Sequence, residues 1–356
     1  MSNDTIRTIL ERVAQGEKLS DVDAVLLLES SDLVPIGRSA NEARMKIKPE
    51  PCVTYIVDRN INYTNICVSK CGFCAFYRTE GDSDGYTLSE NEIDKKIEET
   101  ISLGGVQILM QGGHHPTHKI GWYEDMVSAI KQKHDIHVHA FSPPEIVHIA
   151  ELSGITVTET IERLMNAGLD SIPGGGAEVL SDRVRDEVSP LKCSADEWID
   201  VMRCAHKLGM KTTATMMFGH RETLPERVES MRRIRDLQDE TGGFTAFIPW
   251  TFQPANTDMA DIPETGGFDY LKTLAVCRLY LNNIENIQAS WVTQGPKVAQ
   301  MALYFGANDM GSTMIEENVV ASAGVAFRMS EKDIRRTIED TGMTPKRRNM
   351  TYELIG

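Results

Sequence analysis

The sequence predicts an α/β fold, a (β/α)8 barrel of the TIM type with an N-terminal helical extension, and three observations carry that expectation. Short runs rich in β-branched and aromatic residues alternate with amphipathic helical stretches from about residue 53 onward. No internal repeat, low-complexity tract or linker divides the 356 residues, a length that one barrel can fill. Residues suited to chemistry fall repeatedly just after a strand, where barrels of this kind place their reactive groups.

Residues 1–50 read as the helical extension. Apolar positions recur at helical spacing from Asp4 to Ala43, and Leu19-Ser20-Asp21 supplies an N-cap before Val22–Leu28. The segment is expected to cover one end of the barrel. Residues 51–320 read as the barrel itself. Its strands are expected at 53–57, 106–110, 137–141, 171–172, 211–217, 244–250, 287–291 and near 308–310. Between them, 90–103, 122–133, 157–167, 195–208, 224–240 and 268–280 carry helical periodicity, several ending at a glycine such as Gly104, Gly168 or Gly209. Residues 321–356 form a C-terminal extension in which Lys346, Arg347 and Arg348 read as a solvated charge patch.

A formal net charge of -15 opposes binding to a phosphate backbone, so nucleic acid is not expected as a partner. The N-terminus lacks a basic-then-apolar signal region, and no stretch approaches the roughly 18 apolar residues of a membrane span. The reading is a cytoplasmic protein. Its seven cysteines, three of them within eight positions, suit a metal centre better than a disulfide framework.

Those three lie in Asn65-Ile66-Cys67-Val68-Ser69-Lys70-Cys71-Gly72-Phe73-Cys74-Ala75-Phe76-Tyr77-Arg78, with the spacing CxxxCxxC. Three thiolates can bind three irons of a 4Fe-4S cubane and leave the fourth iron open, whereas electron-transfer clusters normally use four cysteines. S-adenosylmethionine (SAM) can close that iron with its amino and carboxylate groups. Two other readings stay open. The same offsets form one stripe of a helix, and zinc could use the three thiolates with Cys52 or with a histidine of the His114-His115-Pro116-Thr117-His118 loop as fourth ligand. Gly72, and a start directly after a strand, argue against the helix. The histidine loop reads as solvated, Cys52, Cys193, Cys204 and Cys277 as ordinary thiols, and Met216-Met217-Phe218 as strand core.

Strand three makes a separate point. In residues 136–141, alternation puts Ile136, Val138 and Ala140 on one face and His137, His139 and Phe141 on the other. If the aliphatic face meets the helices, both histidines point into the barrel, where branched apolar side chains are the norm.

Taken with Gln111-Gly112-Gly113, His139-Ala140-Phe141-Ser142-Pro143-Pro144-Glu145, Pro173-Gly174-Gly175-Gly176-Ala177-Glu178, TTATMMFGH at 212–220 and Trp250-Thr251-Phe252-Gln253-Pro254, the cysteine loop resembles that of the dehypoxanthine futalosine cyclases, radical SAM enzymes of menaquinone biosynthesis. The resemblance runs from about Arg59 to Gly311. CxxxCxxC alone marks only the superfamily. The Cys-Ala-Phe-Tyr-Arg ending, the triple glycine and WTFQP separate this family from aminofutalosine and deazaflavin-cofactor synthases.

The resemblance implies that Cys67, Cys71 and Cys74 hold a 4Fe-4S cluster and that SAM is bound by Phe73 at the adenine, by Gly112 and Gly113 at the methionine end, and by Ser142 and Glu178 at the ribose and amino group. The triple-glycine loop reads either as flexible or as a close backbone approach. The reaction implied is removal of the ribose C4' hydrogen of dehypoxanthine futalosine, followed by attack of the carbon radical on the carboxyphenyl ring. A reducing partner such as flavodoxin or ferredoxin would supply the electron. His139 and His220 are the candidates for taking the ring proton, since imidazole titrates near neutral pH. Arg78 is the candidate for the substrate carboxylate. A related radical SAM synthase, or a zinc-binding barrel scaffold, is the alternative.

Overall fold

The computed structural model describes residues 3–355. Ten strands follow one another as β1 (Cys52–Ile56), β2 (Asp58–Ile61), β3 (Gln107–Met110), β4 (His137–Ala140), β5 (Ser171–Ile172), β6 (Lys211–Phe218), β7 (Phe244–Thr251), β8 (Asn286–Ile287), β9 (Asp309–Ser312) and β10 (Thr344–Arg347). From β2 to β8 they form one parallel sheet in chain order, and β1 pairs in parallel with β9 and β10. Only Val57 separates β1 from β2, so the first barrel strand is a single run that changes partners half-way along. The Asn308 N–H donates to Ile287 O at 3.1 Å and the Ala289 N–H to Asp309 O at 2.8 Å, which joins β8 to β9 and closes the ring at eight positions. The α/β barrel expected from the sequence is present, with β10 added outside it.

Capping chemistry sets where the outer helices begin. Ser89, Ser194 and Thr223 each accept from a backbone N–H three residues on, while Glu92, Glu197 and Glu226 reach back. Helix 157–167 ends at Gly168 with φ of 114°, a conformation a β-carbon would oppose. The helices around the barrel bury a stripe against the strands, as Trp198, Val201, Met202 and Ala205 do from helix 195–207. At about 1.5–3 kcal/mol for each large apolar side chain, this burial outweighs capping, worth about 1 kcal/mol per helix.

Five helices escape the periodicity reading: Pro143–Ser153, Asp182–Val188, Trp291–Ala302, Val319–Ser322 and Glu331–Glu339. The first opens on two prolines, which read as a loop but are tolerated in a first helical turn, where the N–H groups have no partner in any case. The N-terminal helices Asp21–Glu29 and Leu33–Ile47 clad the outer helices Leu224–Thr241 and Gly267–Tyr280. Ser20 caps the first of these as expected.

Of residues 346–348, expected as a solvated patch, only Lys346 is exposed. Lys346 and Arg347 lie in β10, and Arg348 is 5% exposed, with Nε and Nη2 on the Asp309 carboxylate at 2.6 and 2.9 Å. A run of three basic residues suggests solvent, yet Arg347 pairs with Glu331 at 2.7 Å and Arg348, just past the end of β10, turns in to the buried Asp309.

Candidate active site

The loops at the carboxyl ends of the strands enclose one cavity of about 370 Å³ that continues into the barrel. Its rim is the cysteine loop. Cys67, Cys71, Phe73 and Cys74 all line it, together with Gly112, Gly113, Ser142, Glu178 and His139. Nine of the eleven residues singled out from the sequence therefore meet in one space.

The rim is held by backbone. Cys67 N–H donates to Arg78 O at 2.9 Å, Val68 N–H to His114 O at 3.0 Å, and Gly72 N–H to Val188 O at 3.0 Å. A β-carbon on Gly113 would sit 2.2 Å from Ile66 O and 2.9 Å from Cys67 Cβ, and one on Gly112 would meet the Tyr63 ring at 2.5 Å. These glycines serve the packing of the cysteine loop first. Their N–H groups are taken, by Glu145 Oε1 at 3.0 Å and Thr64 O at 2.9 Å. The triple glycine is likewise pinned: Gly174 bonds Thr213 and Thr215, Gly175 O accepts from the Trp198 indole at 3.1 Å, and a β-carbon on Gly175 would meet Gln111.

Burial pushes the Cys71 thiol up to about 12, the neighbouring Cys74 and Cys67 add like-charge repulsion, and Lys192 acts against both. Burial also opposes the Lys192 ammonium, but Cys71 and Glu178 hold its proton more firmly than usual. Lys192 Nζ lies 3.1 Å from Glu178 Oε1 and 5.0 Å from the centre of the Phe73 ring. Arg185 reaches the other Glu178 oxygen at 3.5 Å. Glu178 keeps this position with φ of +42°, a strained conformation for a residue with a side chain. One buried and two half-buried thiols beside a largely buried cation fit a metal cluster that takes them as thiolates. Among the described residues no three His, Cys, Asp or Glu side chains converge on a point where one metal ion could sit. A single zinc needs its sulfurs about 3.8 Å apart, from Zn–S bonds of about 2.3 Å, while a cubane keeps each thiolate on its own iron and so farther from the others.

Ser142 caps helix 143–153, and its hydroxyl donates to Glu145 Oε2 at 2.6 Å. The other Glu145 oxygen accepts from Tyr63 at 2.6 Å, and burial raises the carboxyl above its ordinary range.

His139 points into the barrel, in a row running His137–Ser171–His139–Thr213. Its Nδ1 is 2.6 Å from Ser171 Oγ, and its Nε2 is 3.5 Å from Thr213 Oγ1. Burial, helped by His137 and Arg348, drives it down to about 3, so the ring is neutral at physiological pH and holds a proton poorly.

Two expected site residues lie elsewhere. His220 is buried behind β6, donates from Nε2 to Met217 O at 2.9 Å, and faces Glu222 instead of the cavity. Arg78 folds back on its own loop, with Nη1 on the carbonyls of Ala75, Phe76 and Tyr77 and Nε on Asp84 at 2.6 Å. It braces the cysteine loop and does not line the cavity. The histidine loop is not solvated: His114 and His115 are 6% and 7% exposed, His114 Nδ1 is 2.8 Å from Ser69 Oγ, and His115, His118 and Trp122 form a stack.

The sequence reading also passed over Lys192, Asp58, Asn60, Gln107 and Arg348, which all line the cavity. For Asp58 and Asn60 a signal was available, since two polar residues at i and i+2 in a strand buried on both faces are out of place unless something polar meets them. Lys192 stands alone in a loop and gave none.

Residues 61–234 match the radical SAM superfamily, and residues 241–355 match the CofH/MqnC C-terminal region. The chain is 48% identical over 352 residues to a cyclic dehypoxanthine futalosine synthase of Halalkalibacterium halodurans, covering 99% of this chain and 95% of that one. It is 43% identical over 357 residues to a 5-amino-6-(D-ribitylamino)uracil–L-tyrosine 4-hydroxyphenyl transferase of Methanococcoides burtonii, covering 98% of each. Among solved structures, the FeFe-hydrogenase maturase HydG of Carboxydothermus hydrogenoformans shares the fold, with a TM-score of 0.77, 17% identity, and coverage of 98% of this chain and 81% of that one.

Proposed function

Because the chain belongs to the CofH/MqnC family of radical SAM enzymes, we propose that it cyclises dehypoxanthine futalosine. The observation that carries the reading is the single cavity in which three thiols meet a polar barrel interior, in a chain 48% identical to a synthase of that name. When bound, the 4Fe-4S cluster and SAM supply the 5'-deoxyadenosyl radical that removes the ribose C4' hydrogen.

In this reading Cys67, Cys71 and Cys74 hold the cluster, and Lys192, fixed by Glu178, balances their charge and faces the methionine carboxylate. The carbonyls of Gly112 and Gly113, which accept no hydrogen bond among the described residues, are available to the methionine ammonium. Phe73 lies against the adenine, with Ser142 near the ribose. The chain excludes water with the apolar side of the cavity, Ile248, Trp250, Trp291 and Met314, so that a carbon radical meets only the aryl ring. His139 keeps its neutral ring next to the reacting atoms; as a proton acceptor it needs the negative charge of a bound benzoate to offset Arg348. A reducing electron carrier such as flavodoxin or ferredoxin and a cytoplasmic setting complete the proposal. Among the described residues no helix is long and apolar enough to cross a membrane.

The test is an anaerobic assay of reconstituted protein with SAM, reductant and dehypoxanthine futalosine. A product lighter by two hydrogens, formed in step with 5'-deoxyadenosine, supports cyclisation. Transfer of a 4-hydroxyphenyl group from tyrosine to 5-amino-6-(D-ribitylamino)uracil, with no cyclic product, overturns it in favour of the other group of relatives.

A further inference from the structure

Below the cysteine rim, the wall made by β2 and β3 is polar where a barrel centre is usually filled with branched apolar side chains. Asp58, Asn60 and Gln107 are 3%, 3% and 5% exposed, and all three line the cavity. Asp58 is directly opposite Gln107 in the register, and Asn60 is the next inward residue on the same strand. Gln107 Nε2 donates to Asp58 Oδ2 at 2.9 Å, and Asn60 Nδ2 donates to Glu317 Oε2 at 3.0 Å. A carboxylate only accepts, so each amide must turn its nitrogen to its carboxylate and leave its oxygen over. Both leftover oxygens, Gln107 Oε1 and Asn60 Oδ1, are buried without a partner. The Ser312 hydroxyl takes the other Asp58 oxygen.

The wall thus presents two unpartnered acceptor oxygens beside a carboxylate, and the donors left over on these three side chains are the second N–H of each amide. Buried acceptors without partners are costly, and a native protein completes them with water, an ion or a ligand; in a cavity wall the ligand can take that place. We infer that Asp58, Asn60 and Gln107 form a hydroxyl-recognition wall that receives the ribose diol of the substrate. The inference rests on the proposed cyclisation and adds the orientation in which the substrate enters. The ribose offers O–H donors to a row of acceptors, whereas the benzoate would bring acceptors to acceptors. A cation is a poorer match, because the Arg348 guanidinium acts on Asp58 from the neighbouring wall. Asp58, Asn60 and Gln107 are positioning and specificity residues, since none of them needs to exchange atoms with the reacting carbon.

The experiment compares dehypoxanthine futalosine with its 2'-deoxy and 3'-deoxy analogues on reconstituted full-length enzyme, in wild type, Gln107→Met and Asn60→Leu, with iron content and visible absorbance checked for each protein. In wild type, loss of a contacted hydroxyl is expected to raise KM about tenfold with a smaller change in kcat. In the variant lacking the matching acceptor, parent and deoxy analogue should have KM values within about twofold of each other, because the contact is already gone. Deoxy analogues that lose the same factor in wild type and in both variants, or that bind wild type as the parent does, overturn the inference. Should neither variant load its cluster, wild type alone decides through O-methyl analogues, which keep the oxygen and lose the donor. A methyl ether as poor as the deoxy compound supports the wall, and one as good as the parent sinks it. Wild type that leaves the parent compound unchanged removes the cyclisation reading and this inference together, and that result is seen before any variant is made.

Discussion

The two ends of the cavity are built by different means. At the rim, three thiols, a phenylalanine and a glycine come from one continuous loop, residues 67–74, braced from behind by Arg78. The floor draws Asp58 and Asn60 from β2, Gln107 from β3, Ser312 from β9 and Arg348 from beyond β10, positions up to 290 residues apart in the chain. A cluster of iron and sulfide asks only that three cysteines stand at fixed spacing, and a loop can encode that by itself. A substrate of irregular shape asks for donors and acceptors at positions that no short segment can reach.

The difference can be broken hardest at the rim. Cys71→Ala is expected to abolish cluster loading and to bring SAM cleavage to background, with thermal unfolding little changed because one small buried side chain replaces another. Iron and sulfide analysis together with a 5'-deoxyadenosine assay checks both parts. At the floor the order is reversed, and fold and site fail together. Arg348→Met leaves Asp309, which is fully buried, with its charge opposed only by Thr54 Oγ1 at 2.5 Å and the Gly311 N–H at 2.7 Å. Breaking a buried pair in this way costs roughly 3–5 kcal/mol. A denaturant midpoint that does not move would show that the C-terminal segment is not part of the barrel's stability. Adding Asp309→Asn to Arg348→Met should recover part of the loss.

Legibility in the sequence follows the same division. The barrel, the order of its strands and the rim were readable because period, capping and cysteine spacing are local signals. His139 was readable because alternation along β4 is local too. The five missed helices fail for local reasons as well, two prolines in one case, the Gly295-Pro296 interruption of Trp291–Ala302 in another and short length in the rest. What alternation could not supply was the neighbourhood. His220 sits on the expected loop but turns to Met217 O and Glu222, and Arg78 has three carbonyls of its own loop within reach, closer than any substrate. Lys192 and Arg348 become meaningful only when Glu178 and Asp309 lie beside them, and neither pairing leaves a trace in spacing.

Asp58 offers a smaller effect with a definite sign. Burial raises its carboxyl from 3.8 to about 6 against the hydrogen bonds of Ser312 and Gln107 and the charge of Arg348. The native state therefore binds more protons than the unfolded chain between about pH 4 and 6. The contribution is fully present below the unfolded value and is lost as pH rises through about 6, to an extent of roughly 3 kcal/mol. Asp58→Asn should flatten that part of the stability profile, as measured by unfolding from pH 4 to 8. The same variant should remove a rise in KM on acidification below about 6, since a protonated Asp58 has one acceptor fewer for the sugar. His139, His118 and His206 oppose this below their ordinary 6.5, because burial lowers them to about 3, 4 and 4 and they must be charged on unfolding. Their stability is lost as pH falls, so the net curve should peak in the acid-to-neutral range.

The smallest effect belongs to a residue that serves neither end. The His220 ring makes one hydrogen bond, from Nε2 to a strand carbonyl, and its Nδ1 is left 3.4 Å from Glu222 without a bond, while burial keeps the ring from charging. Glu222 does not depend on it, because Arg227 holds the same carboxylate at 2.8 Å and the Gly219 and His220 N–H groups donate to it. His220→Gln keeps a donor near Met217 O and should cost about 1 kcal/mol of stability at most. Steady-state cyclisation should stay within about twofold of wild type in kcat and in KM. A hundredfold loss of kcat with intact SAM cleavage would mean that the loop after β6 swings His220 into the cavity when substrate binds, and that the rim and floor are not the only parts of this site.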